Sequence, residues 1–179
     1  MILVVAATQA ELRGSDGAEA LVCGVGPVDA AARTAAALAE RRPQAVVHVG
    51  IAGARAFAGP QLVVGSEAVY CDADDARWIE LRASPDPRLV EAARRVLPDA
   101  RLEPIGTSAR VGGSHGCEIE AMEGYAVLRA AAIAGVPAVE VRATANAIAE
   151  PDRALWQFDA ARDTLAAALP RLIEALARA

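Results

Sequence analysis

The chain has 179 residues, of which 54% are hydrophobic and 23% charged, and its formal net charge is −5. That length suits one domain (1–179) with a substantial core, and the composition excludes a disordered chain. The acidic balance argues against nucleic acid, which needs a clustered basic face, and the complete absence of lysine excludes Schiff-base chemistry and a P-loop.

The N-terminal stretch MILVVAATQAEL lacks the basic flank and cleavage site of a signal peptide and reads as a first strand over 2–7. No apolar run reaches the ~18–20 residues that cross a bilayer, so neither a membrane nor nucleic acid is an expected partner, and a cytoplasmic location is expected. Further strands are predicted over 20–23, 45–49, 62–70, 102–105 and 138–144, from short β-branched runs bounded by glycine or proline. Their unbroken apolar character suits strands covered on both faces. Between them lie helical patterns. The first, 27–42, has Pro27 at its first position, Asp29 in its first turn and arginines at its end, as the helix dipole favours. Others cover 87–97 and 122–135, the latter stopped by Gly135 and Pro137. A long amphipathic pattern runs from about 152 to 179, which Pro170 is expected to kink or divide. Strands alternating with helices predict an α/β three-layer sandwich around a mixed, largely parallel sheet.

Several local signals carry little chemistry. The three cysteines, Cys23, Cys71 and Cys117, are too widely spaced for a disulfide framework or zinc site and read as free thiols. Two histidines exclude a multi-histidine metal cluster, and His48, inside AVVHVG, reads as a hydrogen-bonded core residue. CDADD at 71–75 lacks the glycine and distal glutamate of a calcium loop and reads as a polar turn. GVGPVD follows a strand, but Asp29 replaces the third glycine of a dinucleotide fingerprint, so its glycines imply a tight turn. In HVGIAGA, Gly50 and Gly53 mark either an ordinary turn or a place where a ligand approaches backbone.

Four residues stand out. Glu11 follows the first strand, and Glu123 opens a helix in EAMEG, where backbone donors favour negative charge. Arg142 lies inside the apolar strand AVEVRATAN, where a charge must be paired or liganded. Asn146, the only asparagine, ends that strand, where open α/β sheets place their ligands.

Together Glu11, GVGPVDAA, HVGIAG, EAMEGYAV and VEVRATAN resemble, in order and spacing, the purine nucleoside phosphorylase/nucleosidase superfamily. Within it the chain is similar to the hydrolytic branch of the methylthioadenosine/adenosylhomocysteine nucleosidases. It is more similar still to the futalosine hydrolases of menaquinone biosynthesis, which share asparagine at the base-contacting position and a following DR…W segment. The resemblance implies that Glu11 deprotonates the attacking water, that Arg142 helps to position it and that Asn146 meets the purine at N7 and its 6-substituent. It implies that Glu123 holds the ribose 2′- and 3′-hydroxyls, with Met122 against the sugar and Gly50, Ile51, Ala52 and Gly53 along the sugar and water side. The segment 106–119 is shorter than usual and carries Arg110 and Val111 where an aromatic often meets the base; either Ser108 or Arg110 is the candidate contact there. Trp156 and Phe158 either shape a pocket beyond C5′ or anchor the last helix. No metal or organic cofactor is implied, and the implied assembly is a homodimer.

The chemistry of such a site is consistent with these residue types. Cleaving an N-glycosidic bond builds positive charge on the ribose, which nearby carboxylates stabilise. A carboxamide cannot protonate the departing purine but can donate a hydrogen bond, which suits the two acceptors, N7 and O6, of a 6-oxopurine. The expected reaction is therefore hydrolysis of a purine nucleoside to hypoxanthine. The alternatives are a methylthioadenosine/adenosylhomocysteine nucleosidase and a non-catalytic purine-nucleoside-binding module.

Overall fold

The computed structural model describes residues 1–56 and 59–179. Strand β1, Ile2–Ala6, is buried at every position, as its unbroken apolar run requires. A short 3-10 turn, Gln9–Leu12, follows it, then strand β2, Glu19–Val22. Helix α1, Pro27–Arg41, opens with Pro27 as expected and closes on Arg42 in the left-handed conformation (φ 48°). Strands β3, Ala45–Ala54, and β4, Leu62–Tyr70, come next, then a two-residue strand β5, Arg82–Ala83. Helix α2, Pro87–Val96, is capped by Asp86, whose carboxylate accepts from the backbone of Arg88 and Leu89. Strands β6, Arg101–Thr107, and β7, Ile119–Ala121, lead to helix α3, Gly124–Ala134, and strand β8, Ala138–Ala147. A 3-10 turn, Arg153–Leu155, precedes the last helix α4, Phe158–Leu176.

All eight strands join one mixed sheet among the described residues. Its order is β2-β1-β3-β7-β6-β4-β5, with β8 pairing both β3 and β4. The five strands β3, β8, β4, β6 and β7 therefore close on themselves, and β2-β1 and β5 extend from that ring. Small apolar residues fill the ring's interior: Ala52, Ala54, Val63, Ile105, Ile119 and Ala121. Helices α2 and α4 pack on one side of the sheet through Leu89, Leu165 and Leu169. Helices α1 and α3 pack on the other through Leu38, Val127 and Leu128. The three-layer expectation holds, with the ring as an added feature. The strands β3 and β8 pair in parallel until Ala52↔Thr144, after which the register slips and Gly53 faces Asn146. Ala145 is left without a partner on β3, a bulge at the end of the sheet where Asn146 projects.

Pro170 does not divide α4. Proline withholds the hydrogen bond that would reach the carbonyl four residues back, here Ala166. Gly14, at φ 87°, lays its backbone against that carbonyl, and a Cβ at Gly14 would collide with the Ala166 oxygen. Only glycine lets the chain after the first 3-10 turn come so close. Replacing Gly14 by alanine is expected to cost about 2–4 kcal/mol, from left-handed strain plus a clash with backbone. Gly17, at φ 81° with nothing within 4 Å of a Cβ, carries the strain alone. Its alanine variant should cost about 1 kcal/mol. Urea midpoints of the two variants give the comparison; equal losses would remove the packing argument.

Candidate active site

One cavity opens at the end of the sheet where β1, β3 and β8 finish. Glu11, Ile51, Ala52, Gly53 and Asn146 line it from one side, and Met122 and Glu123 from the other. These residues lie far apart in sequence; the carboxyl ends of the parallel strands β1, β3 and β8 bring Glu11, Ile51 to Gly53 and Asn146 to one edge, and β7, antiparallel to β3, runs back to deliver Met122 and Glu123 there. Gly50, Arg142, Ser108 and Arg110, the other expected contacts, do not line it.

Glu11 is 5% exposed and held by three donors. Its Oε2 accepts from Thr8 N at 3.0 Å and Thr8 Oγ at 2.7 Å, and its Oε1 accepts from Ile51 N at 2.9 Å. Oε1 thus keeps an acceptor site for a water. Gly50 serves this arrangement from behind. A Cβ there would stand 2.7 Å from Glu11 Oε1 and closer still to Arg142 Nη1. Its glycine makes room for these two side chains and not for a ligand.

Arg142 is 1% exposed beneath the cavity wall. Its Nε donates to Glu140 Oε1 at 2.7 Å, its Nη2 lies 3.6 Å from Glu123 Oε2, and its Nη1 reaches the Ile51 carbonyl at 3.4 Å. Burial opposes its charge, but Glu140, Glu123 and Glu11 outweigh that and raise its pKa. Nη2 also meets His48 Nε2. His48 Nδ1 lies 3.0 Å from the Val5 carbonyl, which can only accept. The ring is therefore the neutral Nδ1–H tautomer, with Nε2 accepting from the arginine. Burial, and then Arg142, push the His48 pKa well below 6.5. The core histidine is in place as expected, with a function for its second nitrogen.

Glu140 is wholly buried, and its Oε2 has no hydrogen-bond partner among the described residues. Its carboxylate packs against Gly124, where a Cβ would overlap it. Burial raises its pKa, partly offset by Arg142. VEVRATAN contains Glu140 with no role implied for it, but it and Arg142 are two apart on a strand and so share a face.

Glu123 is the N-cap residue of α3, but its carboxylate does not cap the helix. Thr107 takes that task in part, accepting from Tyr125 N at 2.8 Å. Glu123 Oε1 instead accepts from Gly26 N at 3.0 Å, in the turn before α1, which packs on the same side of the sheet as α3. Gly26, at φ 91°, aims that N–H at the carboxylate, so the GVG turn supports an acidic side chain and not a pyrophosphate. Burial raises the Glu123 pKa, with Arg142 and Gly26 working the other way.

Asn146 is half-buried at the end of β8, and its Nδ2 donates to the Ala147 carbonyl at 2.9 Å. That acceptor identifies the nitrogen end of the amide and leaves one N–H and Oδ1 for a ligand. Gly53 makes room for it, since a Cβ there would lie 3.1 Å from Nδ2.

Ser108 is fully buried away from the cavity. Its hydroxyl donates to Asp72 Oδ1 at 2.7 Å, and Asp72 Oδ2 accepts from Ala109 N at 2.7 Å. The polar turn at 71–75 thus anchors the loop after β6, and the serine belongs to that anchor. Val111, at the place where an aromatic is common, and Glu120, the first residue of EAMEG with no role implied for it, line the cavity instead. Glu120 receives Gly112 N at 2.6 Å and Ser114 N at 2.8 Å and so shapes the loop. Trp156, Phe158 and Arg162 complete the wall from the α4 side. No group of metal ligands occurs among the described residues, and no described helix is long and apolar enough to cross a membrane.

Replacing Arg142 by methionine strands Glu140 as an unpaired buried acid, at an expected cost of about 3–5 kcal/mol near neutral pH. A carboxylate whose folded pKa is raised, as burial raises that of Glu140, stabilises the fold below its unfolded pKa and loses that contribution as pH rises through the folded value. The stability gap between wild type and R142M should therefore be smaller at about pH 5 than at about pH 8. Thermal melts across that range test this; a constant gap would contradict it.

No family model matches the chain. It is 35% identical over 190 residues to a futalosine hydrolase of Streptomyces coelicolor, covering 90% of this chain and 80% of that protein. It is also 35% identical over 180 residues to a futalosine hydrolase of Acidothermus cellulolyticus, covering 85% and 73%. Its fold is similar to that of an S-adenosylhomocysteine nucleosidase from Streptococcus pyogenes in complex with 5-methylthiotubericidin, with a TM-score of 0.85, 23% identity, and 97% and 95% of the two chains covered. A futalosine hydrolase mutant from Helicobacter pylori has a similar fold, with a TM-score of 0.82, 16% identity, and 99% and 98% covered. The fold, a cavity bordered by two glutamates and one asparagine, and the extent of these identities lead to one assignment: the chain belongs to the futalosine hydrolase family.

Proposed function

We propose that the protein hydrolyses the N-glycosidic bond of futalosine, releasing hypoxanthine and dehypoxanthinyl futalosine, as a step of menaquinone biosynthesis in the cytoplasm. The observation that carries this reading is that Glu11, Glu123, Met122 and Asn146 border one cavity. Glu123 accepts the ribose 2′- and 3′-hydroxyls, with Met122 against the sugar. Glu11 Oε1 takes the proton of the attacking water, beside Ile51, Ala52 and Gly53. Arg142 acts from behind the wall: it touches the Ile51 carbonyl and Glu123, and so positions both sides of the sugar. As the C1′–N9 bond lengthens, positive charge grows on the ribose between the two carboxylates, and electron density moves into the purine.

Asn146 faces the base. Its one uncommitted N–H can be shared between N7 and O6 of a 6-oxopurine, where both atoms accept. A 6-amino group would bring a donor to that edge. A phosphate nucleophile fits poorly, because it would enter beside Glu11, and the arginine nearest that carboxylate is already engaged by other carboxylates. The family also suggests a homodimer. Val28 and Ile133 are exposed on α1 and α3, and Val25 is both exposed and part of the cavity wall, so a partner on that side would border the pocket.

The deciding experiment incubates the purified protein with futalosine and with methylthioadenosine separately, in phosphate-free buffer. Hypoxanthine from futalosine is expected without phosphate, and faster than adenine from methylthioadenosine. A requirement for phosphate, or faster adenine release, would overturn the proposal. Asn146→Asp supplies an acid that can protonate N7 and is expected to lower the kcat/KM ratio of 6-oxo to 6-amino substrates by about tenfold or more. An unchanged ratio would refute the role given to the carboxamide.

A further inference from the structure

One acid on the cavity wall has no part in the hydrolysis described above. Strand β7 pairs with β3 so that Glu120 lies opposite Gly53, and β8 pairs along the other edge of β3 so that Asn146 lies opposite the same glycine. Residues directly opposite on paired strands point to one face, so Glu120, Gly53 and Asn146 form a row across the sheet. Their neighbours Ala52, Ala54, Ile119 and Ala121 point the other way, into the ring. All three members of the row line the cavity. Gly53 leaves the middle of the row empty, and a Cβ there would lie 3.1 Å from Asn146 Nδ2 and 3.0 Å from Ile148. The outer two Cα atoms stand roughly 9–10 Å apart at the usual strand spacing. Two polar side chains facing across such a gap can hold the rim of a flat ring at two points.

Glu120 is 6% exposed. Its Oε2 accepts from Ser114 N at 2.8 Å and from Ser114 Oγ at 2.6 Å, which occupies both lone pairs. Its Oε1 accepts from Gly112 N alone among the described residues, at 2.6 Å. One acceptor site remains, on a carboxylate that its other bonds fix in place. A site that accepts calls for a ligand that donates. Along the rim of a 6-oxopurine the order is N7, O6, N1; the first two accept, and N1 carries a hydrogen. With Asn146 at N7 and O6, N1–H is the next group along the rim, as Glu120 is the next polar side chain along the row. A 6-aminopurine reverses the match, because its N1 is a bare acceptor and would stand against a carboxylate. Sites of this kind discriminate strongly, since the wrong base leaves a buried polar group unpaired.

We infer that Glu120 is a specificity-determining residue that accepts the N1–H of a 6-oxopurine, across Gly53 from Asn146. This rests on the base orientation proposed above. The probes are futalosine and its N1-methyl derivative, which keeps N7 and O6 and lacks the N1 donor. The wild-type protein is expected to favour futalosine by about tenfold or more in kcat/KM, as a hydrogen bond to a charged group would give. The difference should fall chiefly on KM, because a carboxylate does not stabilise the electron density that enters the departing base. Glu120→Gln keeps the size and removes the charge, and should reduce the ratio by about fivefold or more through slower cleavage of futalosine. A merely structural role in holding the loop would slow both substrates together and leave the ratio alone. Equal rates in the wild type, an unchanged ratio in E120Q, or a ratio reduced only by faster cleavage of the methyl derivative would overturn the inference. A further readout needs no variant. Hypoxanthine isotope-labelled at N1, with wild-type protein in excess, should show by magnetic resonance an N1–H proton shifted downfield and protected from exchange with water. An N1–H that exchanges as freely as in solution would overturn the inference. Should neither nucleoside release a base, the hydrolase reading fails separately, and this resonance alone judges the contact.

Discussion

One arginine in the middle of a buried strand organises the site. Arg142 touches Glu140, Glu123, His48 and the Ile51 carbonyl, and each contact fixes a group that borders or backs the cavity. A charge at this depth persists only with partners, and its partners are acids. The cation thus gathers carboxylates at a place where water alone would not keep them. Gly50 and Gly124 are the steric counterpart. A side chain at either would overlap the Arg142–Glu11 pair or the Glu140 carboxylate, so two glycines at ordinary backbone angles are required by packing and not by conformation.

His48 completes the arrangement as a neutral acceptor. With Nδ1–H committed to Val5 and burial holding the ring uncharged, it adds no second cation beside the guanidinium. A lysine or a protonated imidazole there would compete with Arg142 for the same acids. The contact also ties β3 to β8 through side chains, in addition to their parallel backbone pairing.

Much of this was legible in the sequence where a residue's strand or helix set its direction. Glu11, Glu123 and Asn146 sit at element ends; parallel strands bring the first and last of them to one edge, and β7, antiparallel to β3, turns Glu123 back to it. What lay out of reach depended on a distant partner. Ser108 sits at a strand end too, but Asp72, 36 residues away, draws its hydroxyl from the cavity. Arg142 was expected in the site and lies behind it, because Glu140 and His48 take its donors. Strand β7 is three residues long, too short for any periodic pattern. Pro170 predicted a kink or break, but α4 runs through it as one helix, with the Gly14 backbone packed against the carbonyl that the proline leaves without its helical donor. Arg162 has no motif around it and becomes visible only when Trp156 and Phe158 are placed beside it.

The charge balance explains how a fold can carry such a site before substrate arrives. Three carboxylates, Glu11, Glu123 and Glu140, share one guanidinium, so full ionisation would leave the cluster negative. Backbone donors at Gly26, Ile51 and Thr8 offset part of that excess, and burial raises the pKa values of Glu123 and Glu140. The remainder is tolerated strain of an electrostatic kind. In the reaction proposed for this site, a sugar that becomes positive between Glu11 and Glu123 relieves it, and an uncharged sugar does not. Interactions that strengthen only as charge develops lower the barrier without tightening the ground state. The same surplus of acid disfavours an anionic nucleophile at that spot, so under that proposal the arrangement that suits a departing purine also favours neutral water to replace it.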